Sequence, residues 1–202
     1  MGRRRNLLPV GVALILVGVV GLGVLILFGS ASSATGGGMR GGGMMGGGMM
    51  GGAMDEMFIE QMIPHHDDAI AMAELALERS ERPEIRQLAE DIRRSQTAEN
   101  AQMRDWYREW YGGEPDAGGG MGMGMDMMGA ATDMRELESA PDFDKEFLEQ
   151  MIPHHEMAVM MTSMVGNGGG RQELRELADS MRRAQSREIE LMEGWYSEWY
   201  GR

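Results

Sequence analysis

The sequence predicts an all-α protein, a four-helix bundle made from two copies of one helical hairpin and preceded by an apolar N-terminal segment. Three observations carry this reading. Residues 58–112 align without a gap on residues 147–201, so the chain contains an internal duplication. Each copy has two runs of apolar residues spaced three and four apart, the period of a helix with one buried face. Two tracts dense in glycine and methionine lie outside the copies and set them apart.

The first element is residues 1–30. Arg3, Arg4 and Arg5 precede an uncharged apolar run over residues 7–28. That run is about long enough to cross a hydrocarbon core. Arginines at its front place the N-terminus in the cytoplasm and the rest of the chain outside. The segment reads as a membrane anchor. Cleavage at the small residues 30–34 is the alternative, and would release a secreted or periplasmic protein. Residues 31–54 and 114–141 read as flexible linkers, because dense glycine is costly to order and buries little.

Residues 55–113 read as the first hairpin. Its first helix starts near Asp55 or at Pro64, and covers at least the pattern up to Leu77. Residues 79–82 are a polar break, and Pro83 suits the first turn of a second helix. That helix carries Ile85, Leu88, Ile92, Gln96, Glu99, Met103, Trp106 and Trp110 on one stripe and stops near Gly112. The tryptophans are expected to close the end of the bundle, with the tyrosines to one side. Residues 142–202 repeat the plan, with helices over 143–165 and 171–200 around a glycine-rich turn. A lone hairpin buries too little to be stable, so the two copies are expected to form one bundle domain. The long linker between them also permits exchange between chains, and with it a homo-oligomer.

Composition narrows the chemistry. The chain has a net charge of −13, 24 methionines, four histidines and no cysteine. The acidity argues against a nucleic-acid partner and favours cations. Without cysteine there are no disulfides and no thiolate ligands. Metal chemistry here must use His, Met and carboxylates. No nucleophile motif or phosphate loop is visible, and no catalytic residue or organic cofactor is assigned.

All four histidines lie in two copies of Met-Ile-Pro-His-His, at residues 62–66 and 151–155. On a helix, Met62, His65, Ala69 and Met72 share a face, as do Met151, His154, Ala158 and Met161. His66 and His155 point about 100° away. Gln96 with Glu99, and Gln185 with Glu188, interrupt the apolar stripe of the facing helices. A polar group on a buried stripe needs a partner. The histidines are the obvious ones, and a Glu–His bond would orient an imidazole for a metal. The same bond without metal would be a structural pair. Thioether sulfur is soft and favours Cu(I). In the second linker Met121, Met123, Met125, Met127 and Met128 have no core to fill, and are further ligand candidates. The buried methionines are equally suited to filling a core. A di-iron centre would want Glu-x-x-His on its helices, which this sequence lacks.

The repeated Glu-Gln-Met-Ile-Pro-His-His, followed by Arg-x-Leu-Ala, Gln-x-x-Glu and Met-x-x-Trp, resembles the domain of unknown function 305 family over both copies. The resemblance implies a ferritin-like helical bundle, and for some members copper binding through Met and His in copper resistance. It implies metal-ligand roles for His65, His66, His154 and His155, with Met62, Met72, Met151 and Met161 as thioether candidates. Gln96, Glu99, Gln185 and Glu188 would stand behind them. Asp67-Asp68 becomes Glu156-Met157 in the second copy, where Met157, Met160, Met161 and Met164 cluster. The expected function is extracytoplasmic copper sequestration or transfer, with a copper-handling protein as partner. A helical scaffold of the envelope with structural His–Glu pairs is the alternative, and a metal-dependent oxidoreductase the third reading.

Overall fold

A computed structural model of the chain describes residues 46–116, 132–168 and 170–201. The anchor segment and the Met121 to Met128 series lie outside them. The described residues are helical, without a strand, and none of their helices is long and apolar enough to cross a membrane. In order they are α1 (Gly46–Arg79), α2 (Pro83–Tyr111), α3 (Met134–Ser139), α4 (Phe143–Gly168) and α5 (Gln172–Tyr200).

α1 packs along α2 and α4 along α5, which gives the two expected hairpins, and the hairpins meet where α1 lies on α4. Pro83 occupies the first turn of α2. Gly112 and Gly201 end α2 and α5 in the left-handed region, at φ 73° and 69°, each returning its N–H to the helix. Only glycine takes that conformation freely.

Several boundaries differ from the sequence expectation. α1 begins at Gly46, well before Asp55, so residues 46–52 are helical and do not belong to a loose linker. The Tyr111 phenol donates to the Gly52 carbonyl at 2.9 Å and ties that end of α1 to α2. Pro64 and Pro153 therefore sit inside their helices, not at their starts. Each removes one backbone donor directly before its histidine pair. α4 runs on to Gly168, past the expected end at Val165.

α3 was not legible as an element. Asp133 caps it, accepting from the N–H groups of Arg135 and Glu136 at 3.0 Å. Its Leu137 is fully buried in the core. The signal was present as Asp133 followed three residues later by Glu136, a capping pattern.

The core has two apolar halves. One gathers Met72, Ala76, Ile85, Ile92, Leu137, Phe147, Met151 and Met192. The other gathers Phe58, Met62, Met103, Tyr107, Met161, Leu174 and Met181. Along every long helix two buried polar residues fall between the two halves: His65 and His66 on α1, Gln96 and Asn100 on α2, His154 and His155 on α4, Gln185 and Glu188 on α5, while Asp55 and Thr162 are buried outside this layer. The polar residues form a layer across the middle of the helices, sealed on both sides.

At the ends the aromatic residues differ from expectation. Tyr107 is buried, whereas Trp106 and Trp110 are only partly so. The Tyr107 hydroxyl donates to Glu60 at 2.8 Å, and Tyr196 makes the equivalent bond to Glu149. The tryptophans do cover the ends, but from outside. Trp110 and Trp199 lie under Arg171 and Arg82 of the opposite hairpin, at 4.4 and 4.0 Å.

Candidate metal centre

The middle layer holds all four imidazoles. His66 and His155 have no exposed surface, and His65 and His154 almost none. The hairpins' meeting point brings the rings of His65 and His154 face to face, 3.8 Å apart and tilted by 37°. The other two rings flank this pair, at 6.5 Å from His65 to His66 and 6.2 Å from His154 to His155.

The glutamates do not serve all histidines alike. His66 Nε2 meets Glu99 at 2.9 Å, and His155 Nε2 meets Glu188 at 2.8 Å. With a carboxylate accepting at Nε2, that nitrogen carries the hydrogen, which leaves Nδ1 with its lone pair. Nδ1 of both rings is buried without a partner. His65 and His154 make no hydrogen bond of normal geometry at either ring nitrogen; each has only a weak backbone interaction with the other. The first histidine of each motif is thus the unpaired one, and the second, which points aside, is the one the glutamate holds. Gln96 and Gln185 lie in the layer, but their side-chain oxygens accept no bond. They are not the histidine partners their stripe position implied.

Burial, and then the neighbouring imidazoles, push His65 down to about 3. Burial first, and then His65, hold His154 well below its ordinary value. A neutral imidazole keeps a lone pair for a metal, and a protonated one does not.

The thioethers divide. Met62 and Met151 are fully buried one helical turn from their histidines. Met72 and Met161 lie seven residues from His65 and His154, roughly 10 Å along the axis. That is too far to share an ion with the imidazole of the same helix, so these two line the apolar halves. The Met72 sulfur accepts a bond from Thr132 at 3.5 Å. Of the methionines clustered in the second copy, Met157 is half-buried, while Met160 and Met164 are 40% and 57% exposed. They do not converge on the histidines as one site. Among the described residues no three or more His, Asp or Glu donors are set to hold one ion. The donors on hand are imidazole nitrogen and thioether sulfur.

Sequence reasoning missed Asn100, which is buried beside the layer and donates to Asp67 at 2.8 Å and to the Ile63 carbonyl at 3.3 Å. Its place on the α2 face, one residue after Glu99, was the available signal.

A bundle of paired hairpins with consecutive histidines sealed at its centre defines a class of small helical proteins with a buried imidazole site. The chain belongs to the domain of unknown function family DUF305, which matches residues 55–196. Solved structures agree. CopM in its Cu(II)-bound form is 46% identical, with a TM-score of 0.67 over 72% of this chain and 97% of that one. CopM in its Cu(I)-bound form is 44% identical, with a TM-score of 0.66 over 73% and 98%. A DUF305 fragment from Deinococcus radiodurans is 32% identical, with a TM-score of 0.64 over 72% and 96%. No curated protein matches the chain.

Proposed function

We propose that this chain is a membrane-tethered extracytoplasmic protein that binds copper, as Cu(I), for sequestration or transfer and without catalysis. The observation that carries the reading is the set of six buried, unpartnered ring nitrogens on His65, His66, His154 and His155. Leaving one buried polar group unsatisfied costs about 1–3 kcal/mol. A domain's whole stability is roughly 5–15 kcal/mol. A neutral imidazole has one lone pair, so a soft ion can take up four of the six, one per histidine, and remove that share of the penalty.

The scaffold alternative explains the two His–Glu pairs as buried structure. It accounts for one nitrogen in each pair and for neither nitrogen of His65 or His154. The magnitude of the penalty therefore favours a ligand. Neutral imidazoles, with Met62 and Met151 one turn away, form a donor set suited to Cu(I). The CopM structures hold Cu(I) and Cu(II), and their identity to this chain supports the same cargo here. In this reading the four long helices form one ferritin-like bundle, residues 1–30 are the anchor, and the methionines at 121–128 are auxiliary ligands. The three leading arginines and the apolar run support the anchor and the placement outside the cytoplasm.

The test is anaerobic Cu(I) titration of the purified protein against a competing chelator. Wild type should show tight binding, and the variant with all four histidines changed to alanine should lose the tightest sites. Unchanged stoichiometry and affinity in that variant would defeat the proposal. Removing residues 118–129 should lower stoichiometry but spare the tightest sites.

A further inference from the structure

The histidine layer is closed to solvent, so an ion needs a route in. The large exposed apolar side chains among the described residues are Met57, Met160 and Met164, all of them thioethers. Two of these belong to one face of α4. Met157, Met160 and Met164 follow at steps of three and four, so they stand in line on the helix surface. Their exposure is graded: Met164 is 57% exposed, Met160 40%, and Met157 half-buried against the core half that contains Met62 and Met161. The line ends at Met157, three residues past His154 and so on the same face of the helix, and His154 makes no hydrogen bond of normal geometry at either buried ring nitrogen. The first hairpin has no counterpart, since Asp68, Ala71 and Leu75 occupy the equivalent positions.

We infer that Met157, Met160 and Met164 form a surface site for a soft monovalent cation, Cu(I) or Ag(I), and hand it to the buried histidines. The inference rests on the copper reading of the histidine layer and adds the route by which that layer fills. Three uncharged thioethers hold such an ion without a fixed cage and exchange it readily. Each step inward replaces one sulfur donor by the next, so the ion is never stripped of all its ligands. Packing accounts for Met157, which rests against the core, but not for Met160 and Met164, whose side chains are exposed.

The experiment compares the full chain with Met157→Leu/Met160→Leu/Met164→Leu. Leucine keeps the apolar face and removes the sulfur, so any change reports ligation and not docking. Met57→Leu, an exposed thioether off this line, is the control. Cu(I) is added anaerobically, and the histidine ring resonances report filling of the layer. Methionine methyl resonances report the surface. In wild type the methyls of residues 157, 160 and 164 should shift, and the histidines should fill. The triple variant should fill at least tenfold more slowly and reach the same final affinity, while the control fills at the wild-type rate. Equal rates in wild type and triple variant, or a wild type whose three methyls do not move, would overturn the inference while leaving the histidine site standing. If wild-type histidines never fill, both readings fall. Matching far-UV spectra and melting curves establish that the variant is folded.

Discussion

In the first hairpin Asn100 bonds Asp67 at 2.8 Å, and Arg104 pairs with the same carboxylate at 3.5 Å. In the second hairpin the equivalent residues are Ile189, Glu156 and Glu193, which cannot form that chain. Yet the histidine–glutamate bonds beneath these surroundings agree to within 0.1 Å. The geometry of each pair is therefore set by the packing within its hairpin, α1 on α2 and α4 on α5, which both copies share, and the periphery was free to diverge. One copy is braced by polar groups and the other displays thioethers.

The turns diverge in the same way. Arg82 of the first copy reaches Asp144 through its side chain at 3.2 Å. Arg171 of the second uses its backbone N–H to reach Asp55 at 2.8 Å. That closer approach requires Gly170, at φ 109°, because a Cβ there would collide with the Asp55 carboxylate. Glu81 holds the corresponding place in the first copy and is exposed.

The comparison can be broken most strongly by acid. His65 and His154 are both held neutral, His65 down to about 3 against an ordinary value of 6.5. Between those values the unfolded chain binds protons that the folded chain refuses. Stability of the metal-free protein should therefore be full above pH 6.5 and fall as pH drops towards 3. The slope should be about 1.4 kcal/mol per pH unit for each histidine. Chemical denaturation across that range measures it, and removing either His65 or His154 should halve it. A slope that depends on only one of them would end the symmetric picture of the centre.

The glutamates sharpen it next. Glu99→Gln and Glu188→Gln should each weaken copper binding about 10- to 100-fold, as loss of a partner behind a metal-ligating histidine does. Glu188 is the less exposed, at 11% against 19% for Glu99, and should show the larger loss in chelator competition. Identical, negligible effects would mean that the pairs orient nothing.

Smaller effects separate the turns. Gly170→Ala should cost about 1–3 kcal/mol by thermal unfolding, through backbone strain and the collision with Asp55. Glu81→Ala should stay within about 0.5 kcal/mol. The smallest effect concerns the brace. Asn100→Ile copies the second hairpin into the first and should cost about 1 kcal/mol, the net worth of a typical hydrogen bond. If it costs nothing, the brace is incidental.

Much of this molecule was legible from residue order. The gapless repeat gave two hairpins, and Pro83 and Gly112 marked real helix limits because proline and glycine constrain the backbone locally. The Met-Ile-Pro-His-His pairs marked the candidate site because histidine occurs nowhere else. The ambiguous features depended on distant partners. Residues 46–52 look like a linker by composition, yet Tyr111 secures that end of α1 from the end of α2. Glu99 and Trp106 share a stripe by spacing, but the buried line moves to Asn100 and Tyr107, which bond Asp67 and Glu60 on α1.

The sequence by itself determined the helices, the duplication, and the confinement of every imidazole to one motif, because periodicity and backbone preference act over a few residues. Only the tertiary structure decided that the two motifs meet. It brought His65 and His154 together across 89 residues of chain and assigned the glutamates to His66 and His155. Those outcomes depend on how two helices cross, which is set by the shape of the whole packed core.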